Sequence, residues 1–354
     1  MTSDKGIFIK NIYYMLSYAY KELQKDSYKK LKTEDFDNFH DLIASILIKS
    51  VSLQLKKGLN RKYIEKNEDL YTLRGKVNIR DSIKKQVYKS KKISCKYDEF
   101  SENNILNQVL KTTLYKLILC NELKEEKKYE IKKIMMYFSE VDLVEISNIN
   151  WNSFQYHRNN ATYRLLINIC YLVLKSMILT TEKGKERLAS YLDDQQMHRL
   201  YEKFILEYYK KHFPELRPKS KQIFWDTEDV IDFLPNMQSD IMLSYEDKKL
   251  IIDAKYYKES MQSHHDSNKL RSSHLYQIFA YVKNEDKHHT GLVSGMLLYA
   301  KTEEEILPNY EYNIGGNIIS AKTLDLNKPF EMIKRQLESI ILNWLGEDFI
   351  RKIN

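Results

Sequence analysis

Two aspartates and one lysine occupy the ends of two apolar runs that flank a polar turn centred on Glu246 and Asp247. Short apolar runs on both sides of such a turn predict a β-hairpin. The hairpin places Asp240 opposite Asp253, and the Cβ atoms of directly opposed residues are about 4.5–5.5 Å apart. Lys255 lies two residues beyond Asp253 and therefore shares its face of the strand. Two carboxylates at this separation suit one hard divalent cation, so the hairpin predicts a metal site beside a lysine.

The same residue types have a simpler interpretation, because most Asp and Lys residues at strand ends are solvated surface groups. Two features favour a functional site here. Asp253 and Lys255 continue an apolar Leu-Ile-Ile run without an intervening turn residue, and the hairpin brings a second carboxylate opposite them. Because a buried charge is costly unless it is paired or bound to a metal, this combination indicates chemistry.

Helices are expected in the sequence on either side of the hairpin. Residues 197–212 have aromatic and aliphatic side chains at helical spacing. They include Glu202, which taken alone is more simply explained as part of a solvated helix face. Residues 275–282 form the second expected helix. Within it, Gln277 and Tyr281 are four residues apart and therefore lie on one face.

Composition narrows the class of protein. The chain of 354 residues is long enough for two domains, and its net charge of +8 is compatible with nucleic acid without requiring it. The absence of an apolar run of 18 residues and of a signal peptide favours a cytoplasmic protein without a membrane span. Three widely spaced cysteines fit neither a disulfide framework nor a zinc site. No phosphate-binding Gly-x4-Gly-Lys-Ser/Thr motif is present, so we expect no nucleotide on this chain itself.

The pattern of elements predicts an α/β protein, α+β overall, with two domains. Residues 1–190 are expected to be mostly helical with some short strands, and residues 191–354 to form a central mixed sheet flanked by helices. The boundary is placed in the polar stretch at 181–195.

The hairpin motif, Asp240 followed by Asp253-Ala254-Lys255, resembles that of the PD-(D/E)xK nuclease superfamily. The resemblance implies a restriction-endonuclease-like domain at 191–354 that hydrolyses phosphodiester bonds with Mg²⁺, or alternatively Mn²⁺. Asp240 and Asp253 would bind the metal together with the carbonyl of Ala254. Lys255 would position or activate the attacking water.

The flanking helices carry further residues of this resemblance. Gln277 and Tyr281 resemble the Gln-x-x-x-Tyr signature of the RecB-like branch, which implies that they line the site. Many members of the superfamily take an acid from the helix before the hairpin, which here implies Glu202. Phosphate contacts are also expected from basic residues near the motif, namely Lys249, Lys258 and Arg271.

Several blocks in order along the chain resemble the McrC family, the nuclease subunits of modified-cytosine-dependent McrBC restriction systems. They are residues 10–19, 73–77, 97–99 with Asn107, 234–241, 252–258 and 275–277. This resemblance implies a division of labour. Residues 1–190 would dock on a hexameric McrB-like AAA+ GTPase and stimulate it, and residues 191–354 would cut double-stranded DNA that carries 5-methylcytosine. A second copy of the chain is expected where both DNA strands are cut.

Two other functions fit the same residues. The chain could be a RecB-like nuclease of DNA repair that acts without a GTPase. It could also be a non-catalytic scaffold or activator of an NTPase ring, although the intact Asp240, Asp253 and Lys255 set argues against that. Neither the modified base nor the DNA sequence recognised follows from the residues, and we expect that specificity in the partner.

Overall fold

A computed structural model describes residues 3–4, 7–34, 36–157, 160–181, 194–227, 233–256, 261–264, 267–301, 308–346 and 349. The helices are α1 Ile9–Ala19, α2 Lys29–Thr33, α3 Phe39–Leu55, α4 Ile79–Lys84, α5 Ile105–Ile118, α6 Glu125–Met135, α7 Tyr163–Thr181, α8 Asp194–His212, α9 Ser272–Glu285 and α10 Phe330–Leu345. The strands are β1 Ser3–Asp4, β2 Ile7–Phe8, β3 Lys62–Leu70, β4 Lys76–Val77, β5 Ile93–Ser101, β6 Lys219–Ile223, β7 Met237–Tyr245, β8 Lys248–Lys255, β9 Met261–His264, β10 Ser267–Leu270, β11 Val293–Ala300, β12 Tyr310–Ile314 and β13 Asn317–Leu324. Among the described residues, none of the helices combines the length and the apolar composition needed to cross a bilayer.

The chain forms two compact units, one of residues 1–42 with 190–354 and one of residues 43–189. The sequence-based division at about 190 grouped residues 1–42 with the N-terminal part, whereas here they belong to the C-terminal unit. The reason is the aromatic packing of α1. Tyr18 lies edge-on to Phe204 of α8, and Tyr14 stacks on Phe330 of α10 with ring centroids 4.2 Å apart. Asn11 adds hydrogen bonds from its side-chain amide to the Leu326 and Lys328 carbonyls, 2.7 and 2.8 Å long.

A mixed six-stranded sheet is the centre of the C-terminal unit, in the order β12-β13-β11-β8-β7-β6. The strand β11 is parallel to both of its neighbours, β8 and β13, and the other pairs are antiparallel. Its central strands are apolar on both faces, which is the pattern of a sheet covered on both sides. The predicted mixed sheet flanked by helices is therefore confirmed.

Helix α9 covers one face of this sheet. Its residues Ile278 and Val282 are buried with Ile251 and Leu297 of the central strands. The approach is close because Gly295 of β11 has no side chain. A Cβ there would lie 2.8 Å from both Ile278 Cγ1 and Val282 Cγ2, well inside van der Waals contact. The missing side chain thus brings the polar residues of α9 near to the sheet.

The second unit, residues 43–189, contains the three-stranded antiparallel sheet β3-β5-β4 and the helices α5, α6 and α7. Asn107 of α5 is buried and joins three segments of this unit. Its amide nitrogen donates to the carbonyls of Asn60 and Glu102, at 2.8 and 2.6 Å, and its oxygen accepts from the Tyr163 hydroxyl at 2.6 Å. A buried amide with this many partners favours one arrangement of the segments that it joins.

Replacing Gly295 by Ala should push α9 away from the sheet. Overpacking of a close-packed interior costs about 1–3 kcal/mol, and hydrogen exchange of the α9 amides should become faster. Exchange measured by mass spectrometry checks this. Ser294→Ala is the control, because position 294 faces the other side of the sheet. Equal exchange in wild type and Gly295→Ala would contradict the packing argument.

Candidate active site

The hairpin expected from the sequence is formed by β7 and β8. Pairing begins at Tyr245 opposite Lys248 and continues to Ile241 opposite Ile252. One further step along both strands reaches Asp240 and Asp253, so the two carboxylates lie at the end of the hairpin farthest from its turn. The register follows from the two-residue turn at Glu246 and Asp247, because the turn type and the loop length set the pairing in a hairpin.

The two strands separate where the aspartates lie. Pairing between β7 and β8 ends at Ile241–Ile252, whereas β8 continues to pair with β11 as far as Lys255 opposite Tyr299. The backbone N–H of Ala254 is consequently not used by the hairpin ladder, and it donates to Asp240 Oδ2 at 2.8 Å. The carbonyl of Ala254 faces the same side of its strand, because the N–H and C=O of one strand residue point the same way.

The ammonium of Lys255 lies between Asp253 and α9. Its Nζ atom is 2.7 Å from Asp253 Oδ2 and donates to Gln277 Oε1 at 3.0 Å. The other end of the Gln277 amide donates to the Tyr281 hydroxyl at 2.8 Å. Asp253 and Lys255 are only 1% and 6% exposed. The structure thus brings four of the expected residues into one chain of contacts, with both ends of the Gln277 amide fixed.

Burial, followed by the neighbouring charges of Asp253 and Glu202, raises the pKa of Asp240 from 3.8 to about 8. The Ala254 N–H and the Lys255 ammonium act in the opposite direction with smaller effects. Three carboxylates therefore repel one another at this end of the hairpin. A cation at this position would relieve the repulsion and return Asp240 to its charged form.

Glu202 lies on α8 near these aspartates and is half-buried. Its Oε1 atom is 2.5 Å from Nδ1 of His198, one helical turn earlier. His198 was not among the residues selected from the sequence. The spacing of four residues between it and Glu202 is the signal that could have identified the pair.

His274 is a second histidine that the sequence analysis missed. It is buried, and its Nδ1 shares a hydrogen bond of 3.0 Å with the Tyr299 hydroxyl. Burial, followed by the charges of Lys255, Arg271 and His198, lowers the pKa of His274 to about 4. His274 is therefore neutral near pH 7. His274 lies three residues before Gln277, so the two side chains are on the same side of α9. This spacing is the signal that could have identified His274 as a neighbour of the site.

The donor set fits a hard cation that keeps some of its water. In the part of the chain that the structure describes, no three His, Cys, Asp or Glu side chains already surround one point. Mg²⁺ is commonly held by only one or two carboxylates, with water completing its shell. Asp240, Asp253 and the Ala254 carbonyl supply oxygen ligands of that kind.

Comparison with known proteins decides the family. A sequence model of the McrBC 5-methylcytosine restriction system component family matches residues 4–300. The chain belongs to this family. It is 24% identical over 342 residues to the type IV methyl-directed restriction enzyme EcoKMcrBC of Escherichia coli (strain K12), which covers 95% of this chain and 98% of that relative.

A solved structure shares the fold of this McrBC family member. It is a half-complex from a tetradecameric assembly of Thermococcus gammatolerans McrB AAA+ hexamers with bound McrC. The match has a TM-score of 0.52 at 18% identity and covers 94% of this chain and 75% of the other. At that identity, the likeness concerns the fold alone.

The basic residues expected to contact phosphate have different surroundings in this McrBC family member. Lys249 is ion-paired at 2.6 Å with Glu285, which also binds Lys221 at 2.8 Å. Arg271 immediately precedes α9 as its N-cap residue. Lys258 lies outside the described residues. A phosphate contact from Lys249 would therefore compete with an existing ion pair.

The raised pKa of Asp240 predicts a distinctive pH dependence without metal. In the folded protein Asp240 keeps its proton up to about pH 8, whereas in the unfolded chain it loses the proton above about pH 4. The contribution of Asp240 to the free energy of unfolding is therefore complete below about pH 4. It is lost as the pH rises toward about 8, by up to about 1.4 kcal/mol per pH unit. Asp240→Asn should remove this component. Its stability relative to wild type should rise between pH 5 and 8, as measured by thermal unfolding in a chelator.

Adding Mg²⁺ should reduce the difference between the two proteins, because a cation favours the charged form of Asp240. Asp247→Asn, an exposed change in the turn of the same hairpin, is the control and should keep the wild-type pH profile. Parallel profiles for wild type and Asp240→Asn would show that Asp240 does not hold this proton.

Proposed function

We propose that this chain is the DNA-cleaving subunit of a modified-cytosine-dependent restriction complex. The observation that carries the proposal is the arrangement of Asp240, Asp253 and Lys255 where two strands part, in a member of the McrBC family. A buried carboxylate next to a partly buried one and beside a buried lysine is expensive to maintain for stability alone, because each charge loses hydration. Their presence supports a catalytic role.

Each polar group has a part in phosphodiester hydrolysis under this proposal. Asp240, Asp253 and the Ala254 carbonyl would hold Mg²⁺, which supplies Lewis-acid activation of water and neutralises phosphate charge. Lys255 would place positive charge beside the reacting phosphate, where fixed charge is most effective because water is excluded. Gln277 and Tyr281 would hold the Lys255 ammonium in position. Glu202 would act as a further acid at the edge of the site.

The proposal includes a GTP-hydrolysing partner. The solved neighbour contains McrC bound to McrB AAA+ hexamers, and this chain has no phosphate-binding loop of its own. Nucleotide-driven steps and recognition of the modified base would belong to an McrB-like ring. Residues 43–189 form a unit separate from the one that contains the site, and we assign docking to it.

The two rival functions differ in what the chain does alone. A repair nuclease of the RecB-like branch would cut DNA without a GTPase, and a scaffold would stimulate a ring without cutting. Plasmid cleavage with Mg²⁺, on methylated and unmethylated DNA, with and without the ring-forming GTPase and GTP, separates them. Cleavage that needs the partner, GTP and methylation supports the proposal.

Asp253→Asn should abolish cleavage and leave binding to the GTPase ring unchanged. The amide keeps the size of the buried carboxylate but removes its charge, so a cation loses a ligand while the hairpin packing is kept. Plasmid cleavage and co-purification with the ring measure the two properties. Asp247→Asn, on the same hairpin, is the matched control and should keep both. Retention of cleavage in Asp253→Asn would refute the assignment.

Tyr281→Phe should slow cleavage by about twofold to tenfold, the equivalent of one neutral hydrogen bond. Without the hydroxyl, the Gln277 amide is free to rotate and Lys255 loses a fixed acceptor. Single-turnover cleavage with saturating partner checks this prediction. Tyr276→Phe, an exposed change on the same helix, should have no effect. An equal loss in both variants would assign the effect to the helix as a whole.

A further inference from the structure

Nearly all of the net charge of the chain resides in one short segment, residues 71–92, which we name the basic excursion. It connects β3 to β5 and contains β4, α4 and a short 3-10 helix at Val87–Ser90. It holds eight Lys or Arg and one Asp, a net charge of +7 out of +8 for the whole chain. Acidic and basic residues elsewhere therefore almost balance.

Few of these positive charges are neutralised nearby. Arg74 is 3.6 Å from Glu99, and Lys85 is 3.5 Å from Asp69. The segment's own acid, Asp81, is bound to the N-cap side chain of α4. Six basic residues have no ion pair with any carboxylate in the described part of the chain, namely Lys76, Arg80, Lys84, Lys89, Lys91 and Lys92.

The basic excursion has a defined conformation on the sheet. Gly75 has a φ of +65°, and a Cβ there would lie 2.5 Å from the Lys96 carbonyl, so the chain can cross β5 only with glycine. Asn78 accepts from the Asp81 N–H and donates its own N–H to the Ser94 carbonyl. Ser82 accepts from the Ser94 N–H at 3.0 Å. Its positive charges are therefore held on a fixed backbone.

We propose that the basic excursion binds the phosphate backbone of double-stranded DNA. Protein–DNA interfaces are strongly positive, and most of their hydrogen bonds go to phosphate and sugar. Interfaces between proteins are instead depleted of lysine at their centres. Tyr71 and Tyr88 lie among the lysines, 72% and 60% exposed, with hydroxyls suited to phosphate oxygens. A surface with five lysines and an arginine without ion partners fits a polyanion better than a protein.

This inference rests on the proposed function only in taking DNA as the ligand. It assigns to residues 43–189 a DNA-holding role that is distinct from cleavage and from docking on the GTPase ring. Contacts to phosphate carry no base information, so this surface would hold duplexes of any sequence. Selection of the modified site would remain with the partner.

The experiment measures binding of the full-length chain to a labelled, unmethylated duplex over a series of salt concentrations, in a chelator that prevents cleavage. The variant carries Lys84→Gln, Lys89→Gln and Lys91→Gln. Removing one lysine that neutralises a phosphate lowers the slope of log affinity against log salt by about 0.9, so we expect a decrease of about 2–3. At low salt the affinity should fall by at least about tenfold.

A matched triple variant separates local from overall charge. Lys57→Gln, Lys132→Gln and Lys133→Gln remove three exposed positive charges of the same unit, outside the basic excursion. This control should keep the wild-type slope and affinity. All six positions are exposed on the surface, and unchanged thermal unfolding would establish that both variants fold.

A further variant tests the alternative that the basic excursion binds a protein and not DNA. Ile79→Ser with Ile83→Ser removes two exposed apolar side chains of α4, and each variant is also tested for co-purification with the GTPase ring. Weaker DNA binding in the triple variant of the basic excursion (the excursion triple), with unchanged binding in the control triple, supports the proposal. An unchanged slope, or an equal loss in the control triple, overturns it. Loss of ring binding with unchanged DNA binding also overturns it and assigns the surface to a protein.

The nuclease assignment is tested separately. Asp253→Asn should retain the full salt dependence of DNA binding, because the basic excursion belongs to another unit of the chain. If Asp253→Asn still cuts DNA, the proposed active site fails and the DNA-binding surface stands. If the excursion triple binds as wild type does, the surface fails and the active site stands.

Discussion

The repulsion between a buried and a partly buried carboxylate at the open end of one hairpin is the constraint on which the site depends. Asp240 and Asp253 lie there because the turn at Glu246 and Asp247 fixes the register of β7 and β8. Burial and the neighbouring acids raise the pKa of Asp240 to about 8. Such a pair is stable only with a proton, a lysine or a cation between the charges, and the fold supplies a lysine on the same face.

The position of that lysine depends on how closely α9 approaches the sheet. Gly295 leaves the space into which Ile278 and Val282 pack, and the same helix then presents Gln277 to Lys255. The apolar and polar faces of α9 are thus coupled, because moving the helix outward by the width of a methyl group would lengthen the hydrogen bond between Gln277 and Lys255. Close packing in the core therefore sets the geometry of the charged groups.

The two compact units differ in the kind of interaction that they offer. The unit with residues 190–354 gathers acidic groups in a buried position, where a cation or a phosphate with its cation is favoured. The unit of residues 43–189 carries its positive charge on an exposed and well-anchored segment. Attraction of DNA by exposed charge is long-ranged and weakened by salt. Chemistry in a buried site is short-ranged and depends on exact geometry.

The sequence by itself determined the hairpin, its register and the residues Asp240, Asp253 and Lys255, because alternation along strands and the length of the turn are local properties. It also predicted the mixed sheet flanked by helices and the shared face of Gln277 and Tyr281. Only the tertiary structure decided that residues 1–42 pack with the C-terminal unit, through aromatic contacts of Tyr14 and Tyr18 across more than 180 residues of chain. The burial of His274 and its hydrogen bond to Tyr299 also needed the structure, because distances between separate elements cannot be obtained from spacing along one helix.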